Sequence, residues 1–459
     1  MSVFSLSNLK KTWYYLQKNG IRNAVWAVLE RIGQEQEVYT WQEPDEKTLS
    51  FQREHSASLC ISIVVPAYRT KKEHLEAMLN SVSRQSYPHW ELIVADAGGT
   101  AESVQAWAKK NGICLRKAAD ASNLAEWKDQ SIMLCTLSEN KGISANTNAG
   151  IELAAGDAVG LLDHDDLLTA NALWEMADCL EKEKKRGKQK LVLFSDEDKC
   201  DGAASRFYEP NFKPDFDGEL LLTNNYICHF TVIETAFLKE LKLRSGFDGA
   251  QDYDLMLRAY AAGGQFVHVP KVLYHWRCHE ASTASNPQSK RYAYEAGQRA
   301  LEDYCLRKGW KATVSGLKHL GFYREDYEDS VFCQRPEIGI WAKPLPGGRD
   351  VFGIRHPKGF LVSGLYENDG SMRYAGLRKG YSGPMHRAAL QQSAPAADLR
   401  SMEVCSALKE RYAQTIAELK EACQGLPTAA QETKILQKSM EFCKEATAAG
   451  YGILWDPQA

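Results

Sequence analysis

Long apolar runs are missing from this sequence of 459 residues, because no uninterrupted stretch approaches the roughly 20 residues that a membrane-spanning helix needs. Charged residues interrupt the apolar runs near the N-terminus, so we expect no signal peptide. The 12 cysteines are scattered from Cys60 to Cys443 without a C-x-x-C pair, which argues against a zinc site and against a small disulfide framework. Scattered reduced thiols, as in a cytoplasmic protein, are therefore expected.

Two nucleotide-binding signatures are also missing. The sequence contains no G-x-x-x-x-G-K-[ST] run, which excludes a P-loop, and no G-x-G-x-x-G run, so hydride transfer with a nicotinamide cofactor loses its main support. A formal net charge of −3 provides no basic field for nucleic acid. With 44% hydrophobic and 25% charged residues, the composition is typical of a folded chain, and the length predicts two or three units.

The sequence predicts a first region over residues 1–57, an amphipathic helix followed by a polar linker from Gln34 to Ser58. Between Leu9 and Ile32, basic side chains outnumber Glu30 five to one, and four large aromatic side chains lie among them. Basic and aromatic residues together suit a helix in the headgroup plane of a membrane, which would give a peripheral contact. A helix docked on its own domain would show the same pattern, so both interpretations stay open.

The region from 58 to 330 alternates between short apolar runs and helical periodicity. We predict strands at Cys60–Pro66, Glu91–Asp96, Ala158–Leu162 and Leu191–Phe194, and helices at Glu73–Gln85, Ala101–Asn111, Ile143–Ala155, Ala170–Lys185 and Asp252–Ala262. This order predicts an α/β fold with a mostly parallel central sheet flanked by helices. Ligands of such sheets bind beyond the carboxyl ends of the strands, where this sequence places polar and acidic residues.

The run Asp163-His164-Asp165-Asp166 directly follows a predicted strand. Three acids within four residues repel each other unless a cation or a donor-rich ligand lies among them. Carboxylate oxygens suit Mg²⁺ or Mn²⁺ that bridges two phosphates. A solvated turn is the alternative for so short a run, and the position at a strand end favours the metal.

Four further residues are candidates for nucleotide contacts. A carboxylate at Asp96 could accept a hydrogen bond from N3–H of uracil or thymine, or it could cap the helix that follows. Tyr68 could cover the base, or it could only close its turn. Gly142 permits close approach of a ligand to the backbone, and Asn146 is a candidate cap or ligand contact.

Three residues near the end of the α/β region could act on the reacting groups. Asp252 begins a predicted helix, where an acid is either an N-cap or a base that takes the proton of an acceptor hydroxyl. His275 follows a strand predicted at Phe266–Leu273 and is a candidate neutral metal ligand. Arg277 could neutralise the charge of a diphosphate.

These residues, in this order, resemble the family 2 glycosyltransferases with the GT-A fold. The resemblance covers residues 58 to 325 and is closest to a bacterial subgroup of O-antigen, rhamnan and exopolysaccharide transferases. The runs that carry it are IVVPAY at 63–68, ELIVAD at 91–96, NKG at 140–142 with Asn146, LDHDDLL with Leu162 before the first acid, SDEDK at 195–199, FKPD at 212–215, NNYICH at 224–229, GAQDYDL at 249–255 and HWR at 275–277.

The resemblance implies an inverting single displacement. It makes Asp252 the base, Asp165 and His275 metal ligands, and Asp163 a contact to ribose or metal. It places Pro66, Ala67, Tyr68, Asp96, Gly142 and Asn146 at the nucleotide, and Asp196, Glu197, Asp198, Lys213, Trp276 and Arg277 on the sugar, acceptor or diphosphate side. One departure is Ala97, since the family usually has a second acid after the position of Asp96.

By this resemblance the chain transfers a sugar from a UDP- or dTDP-sugar, with Mn²⁺ or Mg²⁺, to a glycan or lipid-linked glycan of a cell-surface polysaccharide. Its expected location is the cytoplasm or the inner face of the cell membrane. Residues 337–459 resemble a degenerate second transferase half, with helices predicted at Leu408–Glu421 and Gln431–Ala446. The alternatives are a sugar-phosphate nucleotidyltransferase, which would need a glycine-rich basic loop after Pro66, and a catalytically dead sugar- or nucleotide-binding scaffold.

Overall fold

The computed structural model describes residues 39–118, 129–278, 291–316 and 320–327, and the strand segments 340–345, 349–356, 359–366, 374–379, 398–400 and 451–455. The described residues form two compact units. One comprises the residues up to 308 together with 314–325, and the other comprises 309–313 and the residues from 326 onward. The predicted helix at Leu9–Ile32 lies outside the described residues.

The first unit alternates strands and helices. Its helices are α1 (Glu46–Glu54), α2 (Lys72–Ser83), α3 (Ala101–Asn111), α4 (Ile143–Leu153), α5 (Ala172–Lys185), α6 (Gly218–Thr223), α7 (Thr235–Leu241), α8 (Gln251–Ala261) and α9 (Arg291–Arg307). Its sheet is built from β1 (Ile61–Ala67), β2 (Trp90–Asp96), β3 (Cys114–Lys117), β4 (Ser131–Thr136), β5 (Ala158–Leu161), β6 (Leu167–Leu168), β7 (Leu191–Cys200), β8 (Phe207–Asn211), β9 (Thr231–Glu234) and β10 (Gln265–Arg277).

These ten strands form one sheet in the order β3-β4-β2-β1-β5-β9-β7-β10-β6, with β8 beside β7. The pairs from β3 to β5 and the pair of β7 with β10 are parallel. The short β9 pairs antiparallel with both β5 and β7 and so joins the two parallel parts. The predicted α/β fold with a mostly parallel sheet flanked by helices is confirmed.

Apolar residues on both faces of the central strands explain the order of the elements. Ile63 and Val64, which point to opposite faces of β1, and Leu92 and Ile93 in β2 are all buried, as expected for parallel strands covered by helices on both sides. Helix α2 buries Leu75, Met78, Leu79 and Val82, which recur at helical spacing on one face. Burying each such side chain contributes about 1.5–3 kcal/mol of transfer free energy, so this packing fixes the strand ends that carry the polar residues.

The interpretation of Gln34–Ser58 as a linker is wrong for its described part. Helix α1 begins after Asp45, whose side chain accepts from the amide of Thr48 at 2.7 Å. Gln52 in α1 is buried and accepts a hydrogen bond from the Ser86 hydroxyl at 2.7 Å. The segment therefore packs on the α/β unit.

Strands β7 and β10 are longer than predicted, and this changes the position of several candidate residues. Strand β7 continues past Phe194 to Cys200, and β10 continues to Arg277, because the two strands pair with each other as far as Cys200 and Arg277. Antiparallel β8 supplies further partners along the end of β7. The acidic run at 195–198 therefore lies inside a strand and not beyond its end.

Strands β11 (Ala312–Gly316) and β12 (Tyr323–Tyr327) form a separate pair. The described strands of the second unit are β13 (Ile340–Leu345), β14 (Arg349–His356), β15 (Gly359–Tyr366), β16 (Tyr374–Lys379), β17 (Asp398–Arg400) and β18 (Tyr451–Trp455). They form two three-stranded sheets whose pairs are antiparallel. The helices predicted at Leu408–Glu421 and Gln431–Ala446 lie outside the described residues. Among the described helices, none is long and apolar enough to cross a membrane.

Candidate functional site

The carboxyl end of β2 is closed by the Asp96 side chain. Its Oδ1 accepts from the amides of Gly98 at 3.0 Å and Thr100 at 3.2 Å, and its Oδ2 accepts from the amide of Ala101 at 2.9 Å. The carboxylate therefore holds the turn into α3, as in the capping alternative. Oδ2 carries one of these three bonds and keeps capacity for a further donor.

Tyr68 lies beside this turn. The residue is 39% exposed, and the Arg69 guanidinium lies 5.0 Å from the centre of its ring. A Cβ placed on Gly98 would lie 3.7 Å from the same ring. Ala67 is buried, and its carbonyl accepts from the amide of Ala97 at 2.8 Å. Pro66 is partly buried and is the next-to-last residue of β1. Of these three residues, Tyr68 offers an exposed aromatic face at the strand ends.

Gly142 and Asn146, the predicted ligand contacts at the start of α4, both lie beside other protein groups. Gly142 has φ +92°, and a Cβ there would lie 2.2 Å from Asp248 Oδ2. Asp248 Oδ1 accepts from the amide of Ser144 at 3.3 Å. The Asn146 side chain is buried against Asn140, to which it donates at 2.8 Å. Asp248 and Asn140 thus lie beside Gly142 and Asn146, and the contact of these two residues with the nucleotide stays a prediction.

The acidic turn after β5 separates into two kinds of carboxylate. Asp163 and Asp165 are partly exposed, whereas Asp166 is buried. Asp166 Oδ2 accepts from the Tyr274 hydroxyl at 2.6 Å, and Oδ1 accepts from the amide of Arg277 at 2.7 Å. Burial, and then the charges of Asp165 and Asp163, raise the pKa of Asp166 well above its usual range. Asp166 therefore anchors the turn, and the other two acids face outward.

Arg277 holds the same turn. Its Nε donates to the carbonyl of Asp165 at 2.5 Å and its Nη1 donates to the carbonyl of Gly202 at 2.7 Å, and the side chain is buried. The guanidinium binds the backbone of the turn, its Nη2 has no hydrogen-bond partner among the described residues, and the contact of Arg277 with a diphosphate stays a prediction. Trp276 is partly buried and its ring packs edge-on to His229, with centroids 6.2 Å apart.

Asp252 lies in the first turn of α8, one position past its first residue, and the N-cap is Ala250. Its Oδ2 accepts from the Asn225 amide at 2.9 Å and its Oδ1 accepts from the amide of Tyr253 at 2.9 Å. Burial raises the pKa of Asp252, His229 opposes this increase, and Asp163 adds to it. These interactions place Asp163, His229 and Asp252 in one electrostatic neighbourhood, although they come from three different parts of the chain.

Sequence reasoning missed Asn225 and His229. Both belong to the run 224–229, which was noted as a motif without a role for its members. The His229 ring stacks on Tyr274 with centroids 5.0 Å apart, and the charge of His229 acts on Asp252. Two polar side chains with aromatic neighbours in one short irregular run were the available signal.

The acids of β7 do not line an open site. Asp196 accepts from His268 Nε2 and from the amide of Lys213, each at 2.8 Å. Glu197 accepts from the amide of His229 at 2.6 Å, and Lys213 donates to the carbonyl of Ile227 at 2.9 Å. All of these side chains are buried. The length of β7 carries its acids into the sheet, and the contacts of Asp196, Glu197 and Lys213 with sugar or acceptor stay predictions.

Asp198 and His275 form a buried pair on the neighbouring strands β7 and β10. His275 Nδ1 lies 2.5 Å from Asp198 Oδ1, and the Tyr39 hydroxyl donates to Asp198 Oδ2 at 2.7 Å. The His275 ring contacts the rings of Phe207 and Trp41. His275 Nε2 has no hydrogen-bond partner among the described residues, and the assignments of Asp198 to the sugar side and of His275 to the metal stay predictions.

The remaining metal candidates are Asp163 and Asp165. No group of three or more His, Cys, Asp or Glu side chains that could hold a metal occurs in the described part of the chain. Magnesium-type ions in phosphate-binding sites are held through one or two carboxylates together with substrate phosphates. Two outward-facing carboxylates on an anchored turn fit that donor set.

Known proteins are similar to part of the first unit. The family model described as Glycosyl transferase family 2 matches residues 62–241, a range that contains the turn at Asp163–Asp166 and ends before Asp252. The O-antigen biosynthesis protein RfbC of Myxococcus xanthus is 34% identical over 256 residues, which are 56% of this chain and 19% of that protein. This chain thus matches a fifth of the length of that relative.

Two further proteins are similar over about half of the chain. The amylovoran biosynthesis glycosyltransferase AmsB of Erwinia amylovora is 28% identical over 232 residues, which are 47% of this chain and 70% of that protein. The crystal structure of S. aureus TarS 1-349 in complex with UDP-GlcNAc aligns with a TM-score of 0.41 and 19% identity, over 54% of this chain and 67% of that chain.

Proposed function

We propose that this chain is a family 2 glycosyltransferase that transfers a sugar from a nucleotide diphosphate to a glycan acceptor during synthesis of a bacterial surface polysaccharide. The observation that carries the proposal is the setting of Asp252, which accepts from Asn225 at 2.9 Å and whose pKa responds to the charges of His229 and Asp163. The two relatives named for O-antigen and amylovoran biosynthesis support the class of product.

Asp252 acts as the base in this proposal. The acceptor hydroxyl gives its proton to Asp252 while its oxygen forms a bond to the anomeric carbon, and the bond from that carbon to the diphosphate oxygen breaks on the opposite face. This displacement inverts the anomeric configuration. The increased pKa of Asp252 brings it closer to working pH, which makes it a better proton acceptor than an ordinary aspartate.

The nucleotide lies over the ends of β1 and β2 in this proposal. Tyr68 covers the base, and Asp96 Oδ2 accepts from N3–H of uracil or thymine, which favours UDP- or dTDP-sugars. Asp163 and Asp165 would hold Mn²⁺ or Mg²⁺, which supplies charge neutralisation for the leaving diphosphate. Asp166, Tyr274 and Arg277 keep the two carboxylates in place.

The test is turnover of the Asp252→Asn variant with UDP- and dTDP-sugars and Mn²⁺ or Mg²⁺. We expect turnover to decrease by at least about 10²-fold, because a positioned base contributes about 10²–10⁴-fold, while UDP affinity is retained. Asp178→Asn is a matched control, since Asp178 pairs with Lys182 on the surface of α5. Unchanged turnover in Asp252→Asn would rule out this role. A wild-type chain that binds UDP without turnover on any donor would indicate the scaffold alternative.

A further inference from the structure

We propose that the buried pair Lys213 and Glu197 is a positioning device for the base, because it fixes the segment of residues 224–229 that contacts Asp252. We call these six residues the base-side segment. This inference rests on the proposed role of Asp252 and adds to it a pair of residues that do not touch the substrate.

The pair holds the backbone of the base-side segment at three points. Lys213 Nζ donates to the carbonyl of Ile227 at 2.9 Å and to the carbonyl of His229. Glu197 Oε2 accepts from the amide of His229 at 2.6 Å, while its Oε1 accepts from the Asn211 side chain at 3.2 Å. Both polar groups of the His229 backbone are therefore bound by the pair.

The charges of the pair compensate each other in a setting without solvent. Lys213 Nζ lies 3.8 Å from Glu197 Oε2, and the Lys213 side chain is 1% exposed. Burial lowers the pKa of Lys213, and the charge of Glu197 opposes that decrease. A buried ion pair contributes little net stability compared with apolar residues of similar volume, so its value here lies in the geometry that it imposes.

The base-side segment delivers two side chains to Asp252. Asn225 donates to Asp252 Oδ2 at 2.9 Å. This hydrogen bond fixes the orientation of the carboxylate and therefore the direction from which it can accept a proton. His229 is the largest charged influence on Asp252 after burial itself. Between them lies Cys228, whose thiol has a pKa raised by burial and then by the charge of Asp252.

Cys228 reports on the segment without any need for enzymatic activity. Thiolates react with alkylating reagents and thiols do not, so a raised pKa makes Cys228 slow to react at neutral pH. Replacing Lys213 by Met removes the donor to both carbonyls at similar side-chain length. Loss of the Lys213 charge alone would raise the pKa of Cys228 further and slow its alkylation, so an increase must come from release of the segment. We expect the alkylation rate of Cys228, followed by peptide mass spectrometry with iodoacetamide, to increase at least about tenfold.

Cys60 and Cys200 distinguish local release from general unfolding, because both are fully buried in the same unit. Their rates should stay at the wild-type value in Lys213→Met. Lys239→Met is the matched control variant, since Lys239 Nζ likewise donates to two carbonyls, those of Glu152 and Ala154, away from Asp252. It should leave Cys228 as slow as in the wild-type protein.

The kinetic arm uses UDP- and dTDP-sugars. In Lys213→Met and in the milder Glu197→Gln, kcat should decrease by about tenfold or more with donor KM and UDP affinity unchanged, since small displacements of a reacting group can cost up to about 10² in rate. Glu197→Gln keeps the size of the side chain and serves if Lys213→Met does not fold. Equal exposure of all three cysteines, or a protected Cys228 with normal kcat, would overturn the inference. Selective exposure of Cys228 in a chain whose wild-type form transfers no sugar would overturn the proposed function alone.

Discussion

The Tyr274 hydroxyl offers a direct test of how the acidic turn is held. It donates to Asp166 Oδ2 at 2.6 Å, and both residues are buried. Tyr274→Phe removes this donor and leaves a buried carboxyl oxygen without it, a change that costs about 1–3 kcal/mol in free energy of unfolding. The amide of Arg277 still donates to Oδ1, so we expect the lower part of this range.

A loss of about 1–2 kcal/mol lowers Tm by roughly 2–4 °C per kcal/mol in a large domain. Because the same turn carries Asp163 and Asp165, we also expect the affinity for UDP with Mn²⁺ to decrease several-fold. Thermal unfolding and calorimetric titration with UDP measure the two effects separately.

Tyr87→Phe is the matched control for this experiment. Tyr87 is also fully buried, and its hydroxyl donates to the carbonyls of Ala57 at 2.9 Å and Leu59, away from the acidic turn. We expect a comparable decrease in Tm with unchanged UDP affinity. If Tyr274→Phe keeps wild-type Tm and wild-type UDP affinity, the hydrogen bond to Asp166 does not hold the turn and the reasoning is refuted.

Four further outcomes are expected. Asp165→Ala or EDTA should abolish transfer and leave the fold intact, and full turnover in EDTA would exclude a metal. UDP and dTDP should bind better than CDP, GDP or ADP, and equal affinities by titration would remove Asp96 from the site. Since burial raises the pKa of Asp252, kcat should increase with pH as Asp252 loses its proton, with a midpoint above the usual aspartate pKa of about 3.9. A pH profile of kcat without this increase would contradict the role of Asp252 as the base. Full-length chain should sediment with anionic liposomes in low salt more than a chain starting at Gln34, and equal binding would favour a docked helix.

The central strands and helices could be predicted from the sequence because their pattern is local. Helix α3 has the predicted bounds, and β1, β2 and β5 begin and end within one residue of their predictions. Their apolar residues are buried at the predicted positions, so hydrophobic periodicity alone located them.

The sequence could not predict the surroundings of residues that depend on distant partners. Four apolar residues end at Phe194, and this pattern predicts that the strand ends there. Pairing with β8 and β10 instead continues the strand through the acidic residues that follow. Asp198 and His275 are 77 positions apart in sequence, and no local pattern predicts that they pair. The same holds for Asn225 and Asp252, whose contact depends on the path of the chain between β8 and β9.

The contact between Asp248 and the start of α4 has a consequence for how a diphosphate could be bound. The first turn of a helix ordinarily attracts phosphate through its free amides and its dipole. Here a carboxylate from 104 positions further along the chain already accepts from the amide of Ser144 and fills the space beside Gly142. An incoming phosphate would meet a negative charge at that helix and would have to expel it. The electrostatic attraction for a leaving group must therefore come from elsewhere, which increases the demand on a cation at the acidic turn.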